Sequence, residues 1–334
     1  MLTIDETDTI RCRVSLRNPF HIESLPFLSK LHKAAFSKRR RVSKRFIGKP
    51  AKRLFRALLA AGMGGSGEVS IQTARGPRKV AFNARNTQFG ALYLPQCLPV
   101  YEPETSALLD RLVGDNDVFL DIGANWGWYS LLIASRPSFR GAVHAFEPFP
   151  STFADLASLV RQTEQQDRIV CHEIALADTD GETSMAFPDG VQSGLARLGM
   201  PGDTLVRLAK LDSLDLPAPT VIKIDAEDHE MAVLSGASEI IDQHRPFIVF
   251  ENWLLREQPE ITLAPLDLLN RKNYRFFFPG WVSGTPNCIV AESTDNSELA
   301  LVPFLPAQRF QLPSQINIVA VPVERMDDFR QKFS

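Results

Sequence analysis

From residue 102 onward, short apolar runs alternate with longer stretches whose apolar positions recur every three to four residues. The short runs predict buried strands at 118–122, 142–147, 168–174, 220–225, 247–251 and 274–278. The periodic stretches predict helices at 104–113, 127–135, 151–164, 229–242 and 264–272. Such alternation builds a parallel sheet wrapped by helices. Residues 317–323, Asn-Ile-Val-Ala-Val-Pro-Val, add a last strand whose Pro322 belongs near an edge or a strand end. Residues 68–94 follow a period of two around Arg75-Gly76-Pro77 and Ala84-Arg85-Asn86, which predicts antiparallel strands covering the sheet. No internal repeat is present.

Upstream of residue 68 the pattern changes. Leu31, Ala34 and Ala35, then Leu54, Phe55, Leu58 and Leu59, punctuate a basic stretch at helical spacing, and Gly48 and Pro50 divide it into two short helices with Pro50 opening the second. Gly62-Met-Gly-Gly-Ser-Gly67 has the G-x-G-x-x-G spacing of a dinucleotide turn, but a helix precedes it and a strand follows. The context is reversed, so the run reads as a flexible hinge. The expected organisation is a basic helical arm and hinge over 1–67, an antiparallel cover over 68–101, an α/β domain over 102–325 and a tail over 326–334.

Charge sharpens that division. The 334 residues carry 37 Lys plus Arg and 39 Asp plus Glu, yet residues 1–67 hold a net +11 and residues 68–334 a net −13. Lys30 to Arg56 contain 12 basic residues, including the run Lys38-Arg39-Arg40-Arg41, and no acid lies between Ser24 and Gly67. A hydrophobic fraction of 44% suits a globular chain with an ordinary core and excludes wholesale disorder. Cys12, Cys97, Cys171 and Cys288 are too far apart for a C-x-x-C pair or a zinc spacing and read as free thiols of a reducing compartment. With no secretory signal pattern and no apolar run of membrane-span length, the expected location is cytoplasmic.

The candidate chemistry starts at Val118-Phe-Leu-Asp121-Ile-Gly123-Ala-Asn125-Trp-Gly127, a strand running through a glycine turn into a helix. The first such turn of an open α/β sheet is where a ligand sits. Gly123 and Gly127 let the backbone approach it, and Glu147, at the end of the next strand, can accept from both hydroxyls of a ribose. A pyrophosphate asks for G-x-G-x-x-G, whereas here the turn is Gly123-x-x-x-Gly127 and opens on an acid. S-adenosylmethionine, a cationic sulfonium with an amino-acid tail, suits it better.

In order and spacing the chain resembles the FkbM family of S-adenosylmethionine-dependent methyltransferases. The matching pieces are Asp121–Gly127, Phe146-Glu-Pro148, Ala175-Leu-Ala-Asp178 with Gly181, Leu211-Asp-Ser-Leu214, Ile222-Lys-Ile-Asp-Ala-Glu227 with Glu230, Val233-Leu-Ser-Gly-Ala237, and Pro246 to Glu251. They span residues 118–251 and leave 1–67 outside. The resemblance implies a class I, Rossmann-like α/β methyltransferase fold, with a seven-stranded, mostly parallel sheet whose last strand is antiparallel. It also implies O-methylation of hydroxyls on saccharides, polyketides or related metabolites. It places the cofactor against Asp121, Gly123, Asn125, Gly127, Glu147 and Pro148, with Ala175 near the adenine; strand-end packing explains Ala175 equally well.

Asp225 and Glu227 follow the fourth strand and should face the acceptor, where a base must take the hydroxyl proton. Lys223 shares a face with Val221 and Asp225 and is costly there unless paired. Asp228 and His229 stand where the family usually has a glycine and a small residue; His229 is a candidate base, or else Asp228 caps the helix and His229 lies on its surface. Asp225, Glu251 and Asn252 resemble the magnesium-holding acids and amide of catechol-type O-methyltransferases, which makes Mg²⁺ a possible cofactor. The expected partner is a small-molecule or glycan acceptor. The basic stretch 30–56 suggests an anionic partner as well: nucleic acid, a membrane or an acidic substrate. The alternative function is a cofactor-fold binding protein, docked by that arm and with little or no catalysis.

Overall fold

The computed structural model describes residues 8–37, 47–186, 197–198, 204–283, 288–290 and 298–334. The run Lys38–Arg41 therefore lies outside the described residues. The chain opens with β1 (Ile10–Arg13), β2 (Phe20–Ser24), α1 (Phe27–Phe36), α2 (Lys49–Ala60), β3 (Ser66–Thr73), β4 (Gly76–Asn83) and α3 (Pro103–Leu112). Next come β5 (Val118–Ile122), α4 (Trp128–Ala134), β6 (Ala142–Phe146), α5 (Pro150–Gln162) and β7 (Ile169–His172). Short strands β8 (Ala175–Leu176), β9 (Gly181–Ala186), β10 (Arg197–Leu198) and β11 (Thr204–Ala209) follow. Then come β12 (Val221–Ile224), α6 (Glu230–Ser235), α7 (Ser238–His244), β13 (Phe247–Trp253) and α8 (Pro259–Arg271). The chain closes with β14 (Tyr274–Ser283), β15 (Cys288–Val290), β16 (Glu298–Phe304), β17 (Gln315–Pro322) and α9 (Met326–Lys332).

The central sheet has the order β1-β16-β14-β17-β13-β12-β5-β6-β7, with β15 on β14. Strands β7, β6, β5, β12 and β13 are mutually parallel, and β17 enters antiparallel between β13 and β14. The parallel core and the antiparallel last strand follow the expected pattern, but the sheet has ten strands rather than seven. β16 and then β1 continue it beyond β14, while β15 pairs with the far end of β14 on the edge that β17 occupies nearer its start, because that long strand offers ladder positions β17 leaves open. Alternate residues feed two cores. Phe119, Val143, Val221 and Val249 pack on one face of the sheet, and Leu120, Ile222, Ile248 and Ile318 on the other.

Strands β2, β3 and β4 form a separate antiparallel sheet. It is pinned to α5 by Gln162, whose Oε1 accepts from the Ala81 amide at 2.7 Å and whose Nε2 donates to the Ala81 carbonyl at 3.1 Å. α1 and α2 form a hairpin whose Leu28, Phe55 and Leu59 bury against Ala84.

Three expectations change in detail. The glycine run is a helix stop rather than a hinge. Gly62 takes φ +81°, its amide donates to Leu59 O and that of Met63 to Leu58 O, the paired bonds of a Schellman cap, and β3 begins at Ser66. The helix predicted over 229–242 breaks at Gly236. There Asp212, from the Leu-Asp-Ser-Leu piece, accepts from the Glu239 and Ile240 amides at 2.9 and 3.0 Å and starts α7 afresh. The stretch expected as a tail forms α9, whose buried Phe329 packs on Phe247 and Phe277 and is covered in turn by Phe333 just past the helix end. No described helix is long and apolar enough to cross a membrane.

Candidate active site

A cavity of about 280 Å³ opens at the carboxyl ends of β5, β6 and β12. Its walls include Gly123, Asn125, Glu147, Pro148, Ala175, Asp225 and Glu227, so most of the residues singled out in the sequence meet in one place. That is where an open parallel sheet leaves room for a ligand, because the chain departs from neighbouring strands in different directions.

The cavity floor is made by two turns in close contact. Gly123 takes φ +75°, and a Cβ built there would lie 1.8 Å from the Asp225 carbonyl oxygen. Only glycine lets the β5 turn pass so close to the end of β12. Both turns are fixed by backbone hydrogen bonds: the amides of Gly123 and Ala124 donate to Phe146 O, and that of Asp225 to Ile122 O. Asn125 is left-handed (φ 53°) and its side-chain oxygen accepts from the Trp126 amide, which shapes the turn into α4.

Glu147 is buried, and its two oxygens accept from the amides of Asn125 (3.0 Å) and Phe149 (2.9 Å). Burial raises its pKa to about 7 against the pull of those two bonds. Each oxygen of a carboxylate has a second lone pair, and Glu147 lines the cavity, so it offers the acceptor capacity a ribose diol needs.

Asp121 and Gly127 support the cavity without lining it. Asp121 is fully buried; Oδ2 accepts from the Ser130 amide at 3.0 Å and the Ser130 hydroxyl at 2.6 Å, tying β5 to the first turn of α4. Its Oδ1 has no hydrogen-bond partner in the protein. Burial raises its pKa, opposed by Lys223 and Ser130. Gly127, at φ +96°, caps α4.

On the acceptor side, Lys223 is buried on the same face as Val221, with Nζ 3.0 Å from Asp225 Oδ2 and 4.7 Å from the centre of the Tyr129 ring. Burial opposes its charge, but Asp225, Asp121 and Glu102 outweigh that and hold its pKa above the ordinary lysine value. Glu102, left-handed at φ 40° before α3, accepts from Tyr129 Oη at 2.6 Å, and burial together with Asp225 raises its pKa. Glu227 and Asp228 both take positive φ, 50° and 77°, so the chain turns sharply between β12 and α6.

Among the candidate residues, His229, Glu251 and Asn252 lie away from the cavity walls. His229 is half-buried at the backbone N-cap of α6, outside the cavity walls, and the helix start is stabilised instead by Glu230, whose Oε1 accepts from the Ala226 amide at 2.9 Å. The magnesium set is not assembled either. Asn252 accepts from Arg309 Nε at 2.5 Å and donates to Thr262 O at 3.0 Å, while Glu251 accepts from Trp253 Nε1 at 2.9 Å and from Gln315. Both side chains are thus committed to packing around β13. Among the described residues no group of three or more His, Cys, Asp or Glu is placed to hold a metal ion.

The sequence reading missed the aromatic wall formed by Tyr101, Trp126, Trp128 and Tyr129. The two tryptophans sit inside the glycine-turn motif and could have been noticed there. Tyr101 precedes α3 and carries no local signal. Trp126 Nε1 donates to Gln88 O at 3.1 Å and Trp128 Nε1 to Ser106 Oγ at 3.1 Å, so the polar edges are satisfied within the wall.

The parallel sheet with an antiparallel last strand, and a glycine turn beside an acid at the end of the second strand of the parallel core, are the features of a class I methyltransferase. Residues 121–276 match the family model described as the methyltransferase FkbM domain. The chain is 27% identical over 158 residues to the hexuronic acid methyltransferase AglP of Haloferax volcanii, covering 45% of this chain and 62% of that protein. Among solved structures it is similar to methyltransferase FkbM from Methylobacillus flagellatus KT, at 20% identity over 57% of this chain and 44% of that one, with a TM-score of 0.38. It is also similar to an S-adenosylmethionine-dependent O-methyltransferase from Thermotoga maritima, at 12% identity over 76% and 77% of the two chains, with a TM-score of 0.37.

Proposed function

We propose that the protein uses S-adenosylmethionine to methylate a hydroxyl oxygen of a saccharide or related uncharged metabolite. The observation that carries this reading is the joint placement of Gly123, Glu147 and Asp225 around one cavity. The bare backbone at Gly123 and the acceptor oxygens of Glu147 suit the nucleoside end of the ligand, and Ala175 and Pro148 suit its flat base. The aromatic wall and surrounding carboxylates suit a cationic sulfur. Bound there, S-adenosylmethionine supplies an electrophilic methyl group.

Asp225 receives the Lys223 ammonium on one oxygen and lines the cavity, so its other oxygen is available to take the acceptor's hydroxyl proton. Glu227, on the same turn, orients the acceptor. Lys223 is the only cation among the described lining residues, and it is already paired. A neutral polyol therefore fits better than an acid whose carboxylate would need a free cation. The hexuronic acid named for the Haloferax relative is an acidic sugar, so it supports the sugar ring and not its neutrality, and the aromatic wall supports a ring that can stack.

Titration calorimetry tests the reading. S-adenosylmethionine binds the intact protein, and Glu147→Ala weakens it more than about tenfold, roughly 1.4 kcal/mol. Transfer of labelled methyl to a panel of saccharides then identifies the acceptor. Absence of binding by the unaltered, folded protein refutes the reading.

A further inference from the structure

We propose that the basic hairpin of α1 and α2 is a docking surface for an anionic phospholipid bilayer. Its described residues carry Lys30, Lys33, Lys49, Lys52, Arg53 and Arg56, and the segment 24–67 contains no acid. The same hairpin presents large apolar side chains to solvent: Phe27 is 61% exposed, Ile47 49%, Leu54 47% and Met63 42%. Charge and exposed apolar groups are interleaved. On α2, helical spacing sets Lys49, Arg53 and Arg56 along one exposed stripe with Pro50 and Leu54 beside it.

This surface is separate from the packing that holds the hairpin. Leu28, Phe55 and Leu59 face the body, and His32 stacks on Phe55 with Nδ1 2.7 Å from Tyr93 Oη. Leu54 and Phe27 are thus not needed to fix the hairpin. Solubility alone is served by the charges and opposed by the apolar groups. An anionic bilayer uses both: phosphate headgroups attract the lysines and arginines, and the side chains of Phe27, Ile47 and Leu54 enter the boundary below them. A nucleic acid would use the charges but gain little from Ile47 and Leu54, and its bases stack on aromatic rings, of which the described residues of the hairpin expose only Phe27 to this extent.

The position bears on the cavity. Tyr93, which His32 contacts, ends the turn Thr87–Leu92, and Gln88 and Ala91 of that turn line the cavity. Docking would thus hold the proposed methyl-transfer site beside the membrane surface, where an acceptor carried on a lipid could be met.

Vesicle co-sedimentation of the full chain tests this. At about 0.15 M salt the protein sediments with vesicles containing about 30% phosphatidylserine and stays in solution with pure phosphatidylcholine. Combined Lys30→Glu, Arg53→Glu and Arg56→Glu lowers the partition coefficient at least about a hundredfold, and combined Phe27→Ser and Leu54→Ser lowers it about tenfold or more. Unchanged circular dichroism shows that either variant remains folded. Failure of the unaltered protein to bind anionic vesicles overturns the proposal, as does equal binding to both compositions. It is equally overturned if single-stranded or duplex DNA binds more tightly than anionic vesicles and the Phe27→Ser, Leu54→Ser variant keeps that affinity.

Discussion

Replacing Gly123 with alanine isolates the contact that builds the cavity floor. Two costs arise. A non-glycine residue at φ +75° is strained by about 1–2 kcal/mol. The new Cβ would also stand 1.8 Å from Asp225 O and 2.8 Å from its carbonyl carbon, whereas comfortable contact begins at about 3.5 Å. The two turns must therefore separate by more than an ångström, against hydrogen bonds from Gly123, Ala124 and Asp225 that fix both. Overpacking of this kind costs about 1–3 kcal/mol, for a total of about 2–5 kcal/mol. Gly62→Ala supplies the reference: its φ is +81° but nothing lies within 4 Å, so only the backbone strain of about 1–2 kcal/mol applies. Urea unfolding followed by tryptophan fluorescence compares the two. Calorimetry should show S-adenosylmethionine affinity reduced more than about tenfold in Gly123→Ala and unchanged in Gly62→Ala. If both variants lose the same stability and both bind the ligand as the unaltered protein does, the close approach at Gly123 does not shape the cavity.

Two further outcomes follow from the buried charges. Glu147 has its folded-state pKa raised to about 7, so the ionised fraction grows from about one tenth at pH 6 to about nine tenths at pH 8; ligand affinity measured by calorimetry should rise severalfold over that interval, and Glu147→Gln should flatten the rise. The same shift acts oppositely on the ligand-free fold. A raised carboxyl pKa stabilises fully below the unfolded value of about 4.5, and that stabilisation is lost as pH climbs through about 7 for Glu147 and Glu230 and about 8 for Glu251. Urea midpoints of the free protein should accordingly decline from pH 5 to pH 8. Lys223→Met leaves Asp225, Asp121 and Glu102 without their shared cation. It should cost about 3–5 kcal/mol at pH 8 and clearly less at pH 5, where Asp121 and Glu102, whose pKa values burial raises, take up protons; equal losses at both pH values would count against the pairing.

The parallel strands were legible because each is a short apolar run between glycine or polar turns, and burial on both faces forces that pattern. The additional strands β15, β16 and β1 were not, since an edge strand is chosen by which neighbour leaves its ladder open rather than by its own alternation. The glycine run at 62–67 misled for a related reason: glycine's freedom serves a hinge and a helix stop equally, and the hydrogen bonds of Gly62 and Met63 decide between them. His229 and Asn252 show the limit for chemistry. Each stands one position from a residue that matters to its turn or strand, and a single step in sequence sends a side chain to a different surface.

The sequence by itself determined the order of the central strands and helices, the glycine turn with Glu147 at the next strand end, and the separation of a basic arm from an acidic body. These are local or one-dimensional properties: periodicity, turn chemistry and charge. Tertiary structure alone decided which carboxylates line the cavity and which are internal supports. Asp121, through Oδ2 to Ser130, and Glu251, to Trp253 and Gln315, tie elements of the fold together away from the cavity walls, whereas Glu147 and Asp225 border the cavity. It also brought Tyr101 and Glu102 against Tyr129, and Lys223 against Asp225, because buried polar groups far apart in the chain must find one another once water is excluded.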